Sequence, residues 1–514
     1  MKTITKNIIM IFFAIAMLSL VACEKLLDIE QHGVETFETF YQTDEQADEA
    51  ITAVYANFST IYYNYWFIKN LLSDDFWSGG GNRGDNASNE SLNEYTFNHE
   101  HTYLEGTFTS YYTVIYLSNI IFGHVPQETA IQKRAHAEAK VFRAFAYIDL
   151  ISMWGTPPLV DHELSPSEYK LPNGDPDALW TLVETDLTEA IESGLLREKS
   201  DANDASSYRV TKQFAQALLG KAYVFQEKWS EAITVLDQVI NSNKYDLYPD
   251  YENILQYTVD NCCESLFEIN RLNDPNNAFT NWTLFAAMTG WRTDHMKITS
   301  EIYDGTWGFC NPQKDLYDAF VAEEGENGYR LNATMKSYDK VLEQGDTITD
   351  PQGLYGHEGY FIWKSRIVAG EMIAGGWMSS HNNLRFMRFA EILLLAAEAH
   401  LKGGGSKATE YVNRVRTRAQ LTPKGSVTMN DIMTEKRLEL CGESVRYQDM
   451  IRWRIATKMS AQGTQTPTFY HNGTVSWISH NDATEAGFKE RHWLLPFPQT
   501  ELTVNSNVIQ NEGW

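Results

Sequence analysis

The strongest constraint on this chain is a helical period punctuated by small residues at fixed offsets. Leu219, Gly220, Tyr223, Ala232 and Leu236 take the spacing L-G-x-x-Y, then a small residue, then a large apolar one. That is the tetratricopeptide pattern, in which small residues let two antiparallel helices approach closely. It predicts helices over 210–226 and 230–241 with Trp229 at the turn. Ile392, Leu395, Ala396, Ala399, Ala408, Val412 and Val415 repeat the spacing late in the chain, with Gly403-Gly404-Gly405 ending the first helix of that pair. A further pair is predicted over 429–441 and 444–455.

Earlier helices follow from the same logic. Thr43-Asp44-Glu45-Gln46 reads as a capping box before Ala47, Ala50, Ile51, Val54 and Phe58 at helical spacing. Further helices are predicted over 108–121, 135–153 and 178–193, the one over 135–153 stopped by Gly155 and paired prolines at Pro157 and Pro158. Between about 256 and 380 the period fades. Gly, Asn, Asp, Thr and aromatics mix there, with Trp282, Trp291, Trp307, Trp363 and Trp377 among the chain's 14 Trp. Residues 460–490 and 73–98 are similarly irregular. A stretch that long is not one loop in a compact domain; it predicts a subdomain of short strands and functional loops. The expected fold is therefore mainly α, with tetratricopeptide-like helix pairs as scaffold and a large irregular insertion containing short strands.

The first 23 residues read as an export signal. Lys2 and Lys6 precede an apolar run from Ile8 to Val21, too short for a typical spanning helix. Leu20-Val21-Ala22-Cys23 resembles the bacterial lipobox, so residues 1–22 are expected to be removed and Cys23 lipidated. Several acyl chains on one residue anchor a protein stably. The other cysteines, Cys262, Cys263, Cys310 and Cys441, are too few for a disulfide scaffold and have no zinc-ligand spacing, so they read as free thiols.

Charge excludes further classes. Acids outnumber bases 68 to 42, and removing two signal lysines takes the net charge from −26 to −28. That balance argues against nucleic acid and anionic lipid surfaces as partners. No catalytic motif is complete. His99-Glu100-His101 lacks two His on one helical face, and Gly79–Gly84 lacks the GK[ST] of a phosphate loop and reads as a flexible loop. No GxSxG elbow is present. The dense charges at Arg388, Glu391, Glu398, Arg414, Arg416, Arg418, Glu435, Arg437, Glu439 and Arg446 read as ion pairs holding helix ends.

Several motifs occur in order along the whole mature chain. Arg388-Phe389-Ala390-Glu391-Ile392-Leu393-Leu394-Leu395-Ala396-Ala397-Glu398-Ala399 precedes Val412-Asn413-Arg414-Val415-Arg416-Thr417-Arg418-Ala419. Glu435-Lys436-Arg437-Leu438-Glu439-Leu440 and Glu443 to Trp453 follow, and Leu495-Pro496-Phe497-Pro498 and Gln510 to Trp514 close the chain. Upstream stand Ala137 to Ala144 and Trp154-Gly155-Thr156-Pro157-Pro158-Leu159-Val160. Together they resemble the SusD/RagB family. Lys436 replaces a usual Arg, and Glu512 and Trp514 replace a usual Pro and Tyr. The resemblance implies a SusD-like α/α fold, a non-catalytic outer-membrane lipoprotein facing outward, and no cofactor or metal. It also implies a SusC-like TonB-dependent barrel as partner, with glycans or oligosaccharides captured for import. Its ligand residues follow no fixed motif, so none is carried over by position.

A sugar presents an apolar CH face and a rim of hydroxyls, which calls for flat rings beside polar side chains. In the irregular segments that chemistry falls on Asp75, Trp77 and Arg83, and on Trp282, Trp291, Tyr303 and Trp307. The expected organisation is one domain over 23–514, with helical scaffold at about 40–255 and 381–460. The loop-rich ligand-binding part covers about 256–380 and 460–495. Alternatives are a structural lid or adaptor of the transporter and capture of peptides or glycopeptides.

Overall fold

The computed structural model describes residues 40–206, 208–277, 284–376 and 378–514. Cys23, Trp282 and Trp377 lie outside the described residues. The N-terminal scaffold is α1 (Asp44–Leu71), α2 (Ala87–Glu94), α3 (Thr102–His124), α4 (Ala130–Trp154), α5 (Pro176–Glu192), α6 (Lys212–Phe225) and α7 (Trp229–Asn241). Short helices α8 (Phe285–Thr289), α9 (Lys314–Glu324), α10 (Tyr329–Thr334) and α11 (Tyr338–Glu343) fall in the aperiodic region. The scaffold resumes with α12 (Phe389–Lys402), α13 (Ala408–Arg418), α14 (Met429–Leu440) and α15 (Arg446–Arg452), and α16 (Gln499–Val504) lies near the end.

The helix starts follow their caps. Thr43 accepts from the Gln46 backbone N–H at 3.2 Å while the Gln46 side chain returns to the Thr43 N–H at 3.1 Å, and Thr129 with Gln132 closes the same box on α4. The expected helix over 108–121 begins earlier, at Thr102. Its first turn already buries Leu104, and Gly106 follows, where a Cβ would come within 2.8 Å of the Asn64 side chain on α1. Tertiary packing thus extends it past where the apolar period begins. The expected helix over 444–455 is shorter, Arg446–Arg452. In the tetratricopeptide-like pair, a Cβ on Gly220 would stand 2.3 Å from Leu236 Cδ2. That close approach is the packing its small residue was read to serve.

The irregular stretch 73–98 is more regular than its sequence suggests. It holds β1 (Phe76–Gly79) and α2, whose Asn86 cap accepts from the Asn89 N–H at 3.0 Å. After Ala87 the residues of α2 are Asn, Ser and Glu around a single leucine, Leu92, so no apolar period announces it.

The strands are short and antiparallel. They are β2 (Ser265–Ile269), β3 (Met296–Lys297), β4 (Phe309–Pro312), β5 (Met335–Ser337), β6 (Thr347–Ile348), β7 (Leu354–Tyr355), β8 (Tyr360–Ile362), β9 (Leu384–Arg388), β10 (Gln465–Phe469) and β11 (Val475–Ser479). Pairing is β1–β4, β2–β9, β3–β6, β5–β8 and a three-stranded β11–β10–β7 sheet. The β2–β9 pair docks on the scaffold through rings. Phe267 stacks on Phe214 of α6 at 4.7 Å, and Phe386 meets Phe58 of α1 at 4.8 Å.

Buried ion pairs fasten the insertion to α14. Arg388 holds Glu264 at 2.5 Å and Glu439 at 2.6 Å, and Arg330 holds Glu435 at 2.6 Å and Glu439 at 3.2 Å. Burial disfavours the Glu439 charge, but Arg418, Arg388 and Arg330 outweigh it and hold the carboxyl down at about 2. The closing segment straps the scaffold: Leu495 N–H donates to the Met153 carbonyl at 2.7 Å, and the buried Trp154 indole donates to the Pro496 carbonyl at 2.9 Å. Cys262, Cys263, Cys310 and Cys441 are free thiols.

Candidate ligand-binding surface

A cluster of aromatic rings reaches the surface where the β10–β11 hairpin meets β1 and the turn after β7. β1 carries Trp77, whose indole N–H donates to Glu358 Oε2 at 2.8 Å. The same oxygen accepts the Lys314 backbone N–H at 2.8 Å, so Glu358 fixes both strand and helix start. Trp77 meets Trp477 of β11 edge to face at 5.8 Å. Trp77 is 8% exposed and Trp477 48% exposed. Beside them, Tyr317 of α9 and Tyr360 of β8 stack at 4.3 Å with 23° between their planes.

These groups border a groove of about 400 Å³ lined by Lys314, Ser337, Asp339, Tyr360, Val475 and Trp477, among others. Two glycines shape the turn beside it. Gly359 has φ +90°, and a Cβ there would reach the Phe469 ring at 2.5 Å; Gly356 has φ +58°, and a Cβ would meet the Gly79 backbone at 2.7 Å. Only glycine lets the turn sit this close to β1 and β10. The groove thus offers flat apolar faces ringed by carboxylate, hydroxyl and ammonium groups. Among the described residues no group of three or more His, Cys, Asp or Glu could hold a metal ion.

A second set of loops adjoins β1 on its far end. Gly80 N–H donates to the Gly308 carbonyl at 2.8 Å, and Asp85 Oδ2 accepts the Gly81 N–H at 2.7 Å. Gly80 and Gly81 are therefore pinned, where the glycine run alone reads as a flexible loop. Arg292 bridges to Asp294 at 2.8 Å, lies 3.8 Å from Asp85, and donates to the Trp307 carbonyl at 3.1 Å. Thr293 Oγ1 accepts from the Gly305 N–H at 2.9 Å and the Thr306 N–H at 3.0 Å, tying 291–295 to 303–308.

The residues singled out in the sequence fall into different settings. Trp77 borders the groove. Arg83 is exposed on the glycine-rich loop and pairs with Glu94, which also accepts from Asn481 at 2.7 Å and lies 3.1 Å from the His480 ring. Tyr303 and Trp307 are half-buried on the adjoining loops. Asp75 is fully buried, its Oδ1 accepting from Arg437 Nε at 2.8 Å, and it anchors the start of β1 to α14. Trp291 is 3% exposed, its indole donating to the Ile362 carbonyl at 2.8 Å and its ring 5.0 Å from Phe361. It is core beneath the loops. Trp282 lies outside the described residues.

Trp477, Tyr317, Tyr360, Glu358 and Asp339 were not picked out by sequence reasoning. A signal for Trp477 was present: Asn472-Gly473 followed by the alternating Val475-Ser476-Trp477-Ile478-Ser479 is a hairpin pattern. Tyr317 and Tyr360 come together only through tertiary packing.

Comparison with known proteins agrees along the length of the chain. The family model described as "SusD family" matches residues 263–514, and that described as "Starch-binding associating with outer membrane" matches 26–224. SusD-like protein P2 of Formosa agariphila is 26% identical, covering 98% of this chain and 98% of that protein. A solved laminarin-binding SusD-like protein superposes with a TM-score of 0.76 at 27% identity, over 92% of this chain and 100% of its own. Surface glycan-binding protein A from Bacteroides thetaiotaomicron, solved in complex with laminarihexaose, superposes with a TM-score of 0.73 at 25% identity, over 91% and 99%.

Proposed function

The chain belongs to the SusD family, and on that premise we propose that it captures oligosaccharides or polysaccharides at the cell surface and delivers them to a TonB-dependent barrel of the outer membrane. It is a binding protein, not an enzyme; its relatives include a laminarin-binding protein and a surface glycan-binding protein in complex with laminarihexaose. The observation that carries the reading is the half-exposed Trp477 beside Trp77 and the stacked Tyr317–Tyr360 pair, over the carboxylates of Glu358 and Asp339. Rings stack on the CH faces of a sugar, and the carboxylates accept from its hydroxyls. Arg83, Tyr303 and Trp307 extend this surface along the adjoining loops. Asp75 and Trp291 support it from below.

Attachment through Cys23 would hold the protein at the membrane, where its family description also places it. Among the described residues no helix is long and apolar enough to cross a membrane. The test is affinity electrophoresis and calorimetry against a panel of neutral glycans, laminarin included. The expected result is binding that strengthens with chain length and weakens at least about tenfold in Trp477→Ala, a loss of about 1.4 kcal/mol. Failure to bind every glycan and glycopeptide tried would overturn the reading, as would Trp477→Ala binding like the parent.

A further inference from the structure

A second cavity, sharing no lining residue with the aromatic groove, lies between α1, α8 and β9. Its volume is about 70 Å³. Tyr62 and Phe285, edge to face at 5.4 Å, form an apolar wall together with Trp66. Its polar lining includes Arg271, Glu371 and Asn382.

Arg271 is the anomaly. Its neighbours in the insertion each hold a carboxylate: Arg366 pairs with Glu301, Arg385 with Asp260, Arg388 with Glu264 and Arg330 with Glu435. The Arg271 guanidinium has no carboxylate within ion-pair distance among the described residues, and its one hydrogen bond is a 3.5 Å contact to the Ser380 carbonyl. Its backbone is fixed, the N–H donating to Asn383 Oδ1 at 2.9 Å. Burial pushes its pKa down to about 10. The nearby acids are committed elsewhere. Glu371 accepts from Ser380 Oγ at 3.3 Å and Asn382 Nδ2 at 3.2 Å, and Glu443 belongs to Arg388 at 2.6 Å. The Tyr62 hydroxyl, on the same cavity, has no hydrogen-bond partner among the described residues. Glu371 favours the Arg271 charge only from beyond ion-pair distance; a half-buried cation without a paired carboxylate is costly, and an anion supplied by a ligand lowers that cost.

We propose that this cavity binds the carboxylate of an acidic ligand, held by the Arg271 guanidinium and the Tyr62 hydroxyl. A guanidinium fork matches a planar carboxylate. A volume of 70 Å³ is about two waters' share of liquid. It takes a carboxylate and the carbons next to it, while the rest of the ligand lies at the mouth. The carboxylate belongs either to a sugar acid or to a small free acid. Neutral glycan binding at Trp477 uses none of these residues, so the two readings fail separately.

Calorimetry and saturation-transfer NMR on the full chain with D-glucuronate, acetate and D-glucose test the proposal. Glucuronate and acetate are expected to bind and glucose not to. Arg271→Leu should weaken both carboxylates at least about tenfold, and Tyr62→Phe by about two- to fivefold. If Arg271→Leu melts early, Arg271→Lys carries the test, keeping the charge but losing the fork and about threefold or more in affinity. Glucuronate binding much tighter than acetate assigns the site to sugar acids, and equal binding assigns it to small carboxylates. Carboxylate binding unchanged in both Arg271 variants, or none by the parent up to about 10 mM, overturns the proposal.

Discussion

Trp291 and Trp477 are the same side chain with opposite duties. Trp291 spends its indole N–H on the Ile362 carbonyl and its faces on Phe361 and Trp363, leaving nothing for a ligand. Trp291→Ala should therefore cost about 3–5 kcal/mol of stability, read as a large drop in melting temperature. Trp477→Ala, at an exposed position, should move stability by less than about 0.5 kcal/mol while removing glycan affinity. Sequence did not show that Trp291 is core, because it follows Gly290 in a polar, aperiodic stretch that reads as an exposed loop. Burial of Trp291 comes from β8, about seventy residues away in sequence.

Buried carboxyls make opposite contributions to stability as pH changes. Burial lifts Glu371 to about 7 despite hydrogen bonds from Ser380 and Asn382, and lifts Asp260 to about 7 despite Arg385 beside it. Each takes up a proton on folding between its unfolded value and about 7, so each adds stability as pH falls through that window. Glu439, held at about 2 by Arg418, Arg388 and Arg330, contributes above its ordinary 4.5 and loses that contribution as pH falls toward 2. Melting temperature should thus peak on the acid side of neutrality, below about 7 and above about 4.5. Glu371→Gln should flatten the decline between pH 5 and 8, removing up to about 3 kcal/mol of pH-dependent stability. Melts across that range check it; an unchanged slope would mean Glu371 does not titrate there.

At the scale of elements, the long scaffold helices were legible and most strands were not. A sustained apolar period marks α1, α4, α6 and α7 locally, with threonine caps on the first three, whereas β1 finds its partner β4 far along the chain, so no local pattern announces it. The pairing depends on Gly79, where φ is +69° and a Cβ would fall 2.2 Å from the Gly308 carbonyl oxygen. The obstacle is backbone, which cannot rotate away. Gly79→Ala should cost at least about 2 kcal/mol from left-handed strain and overlap together. Because Trp77 lies in the same strand, the substitution should also weaken glycan binding, unlike an equally destabilising change in α7. Denaturant melts with parallel binding measurements separate the two effects.

Over the whole molecule, the motifs that carried the family resemblance turn out to be the buried ion-pair network. Arg388, Glu391, Glu398, Arg418, Glu439 and Arg452 clamp insertion to scaffold and helix to helix. Their spacing was readable because helix geometry fixes it. The groove was not, since its rings come from β1, α9, β8 and β11, elements with no shared pattern. The overall charge of −26 separates these two layers as well. Its field acts on charged ligands and is screened within about 10 Å at 0.1 M salt. A neutral glycan held by ring stacking and hydroxyl hydrogen bonds feels neither the field nor its screening. Its Kd should therefore change by less than about twofold between about 50 and 500 mM NaCl. Calorimetry over that series decides it. A steep salt slope would mean that ion pairs, with Lys314 the nearest candidate, carry recognition in the groove in place of the rings.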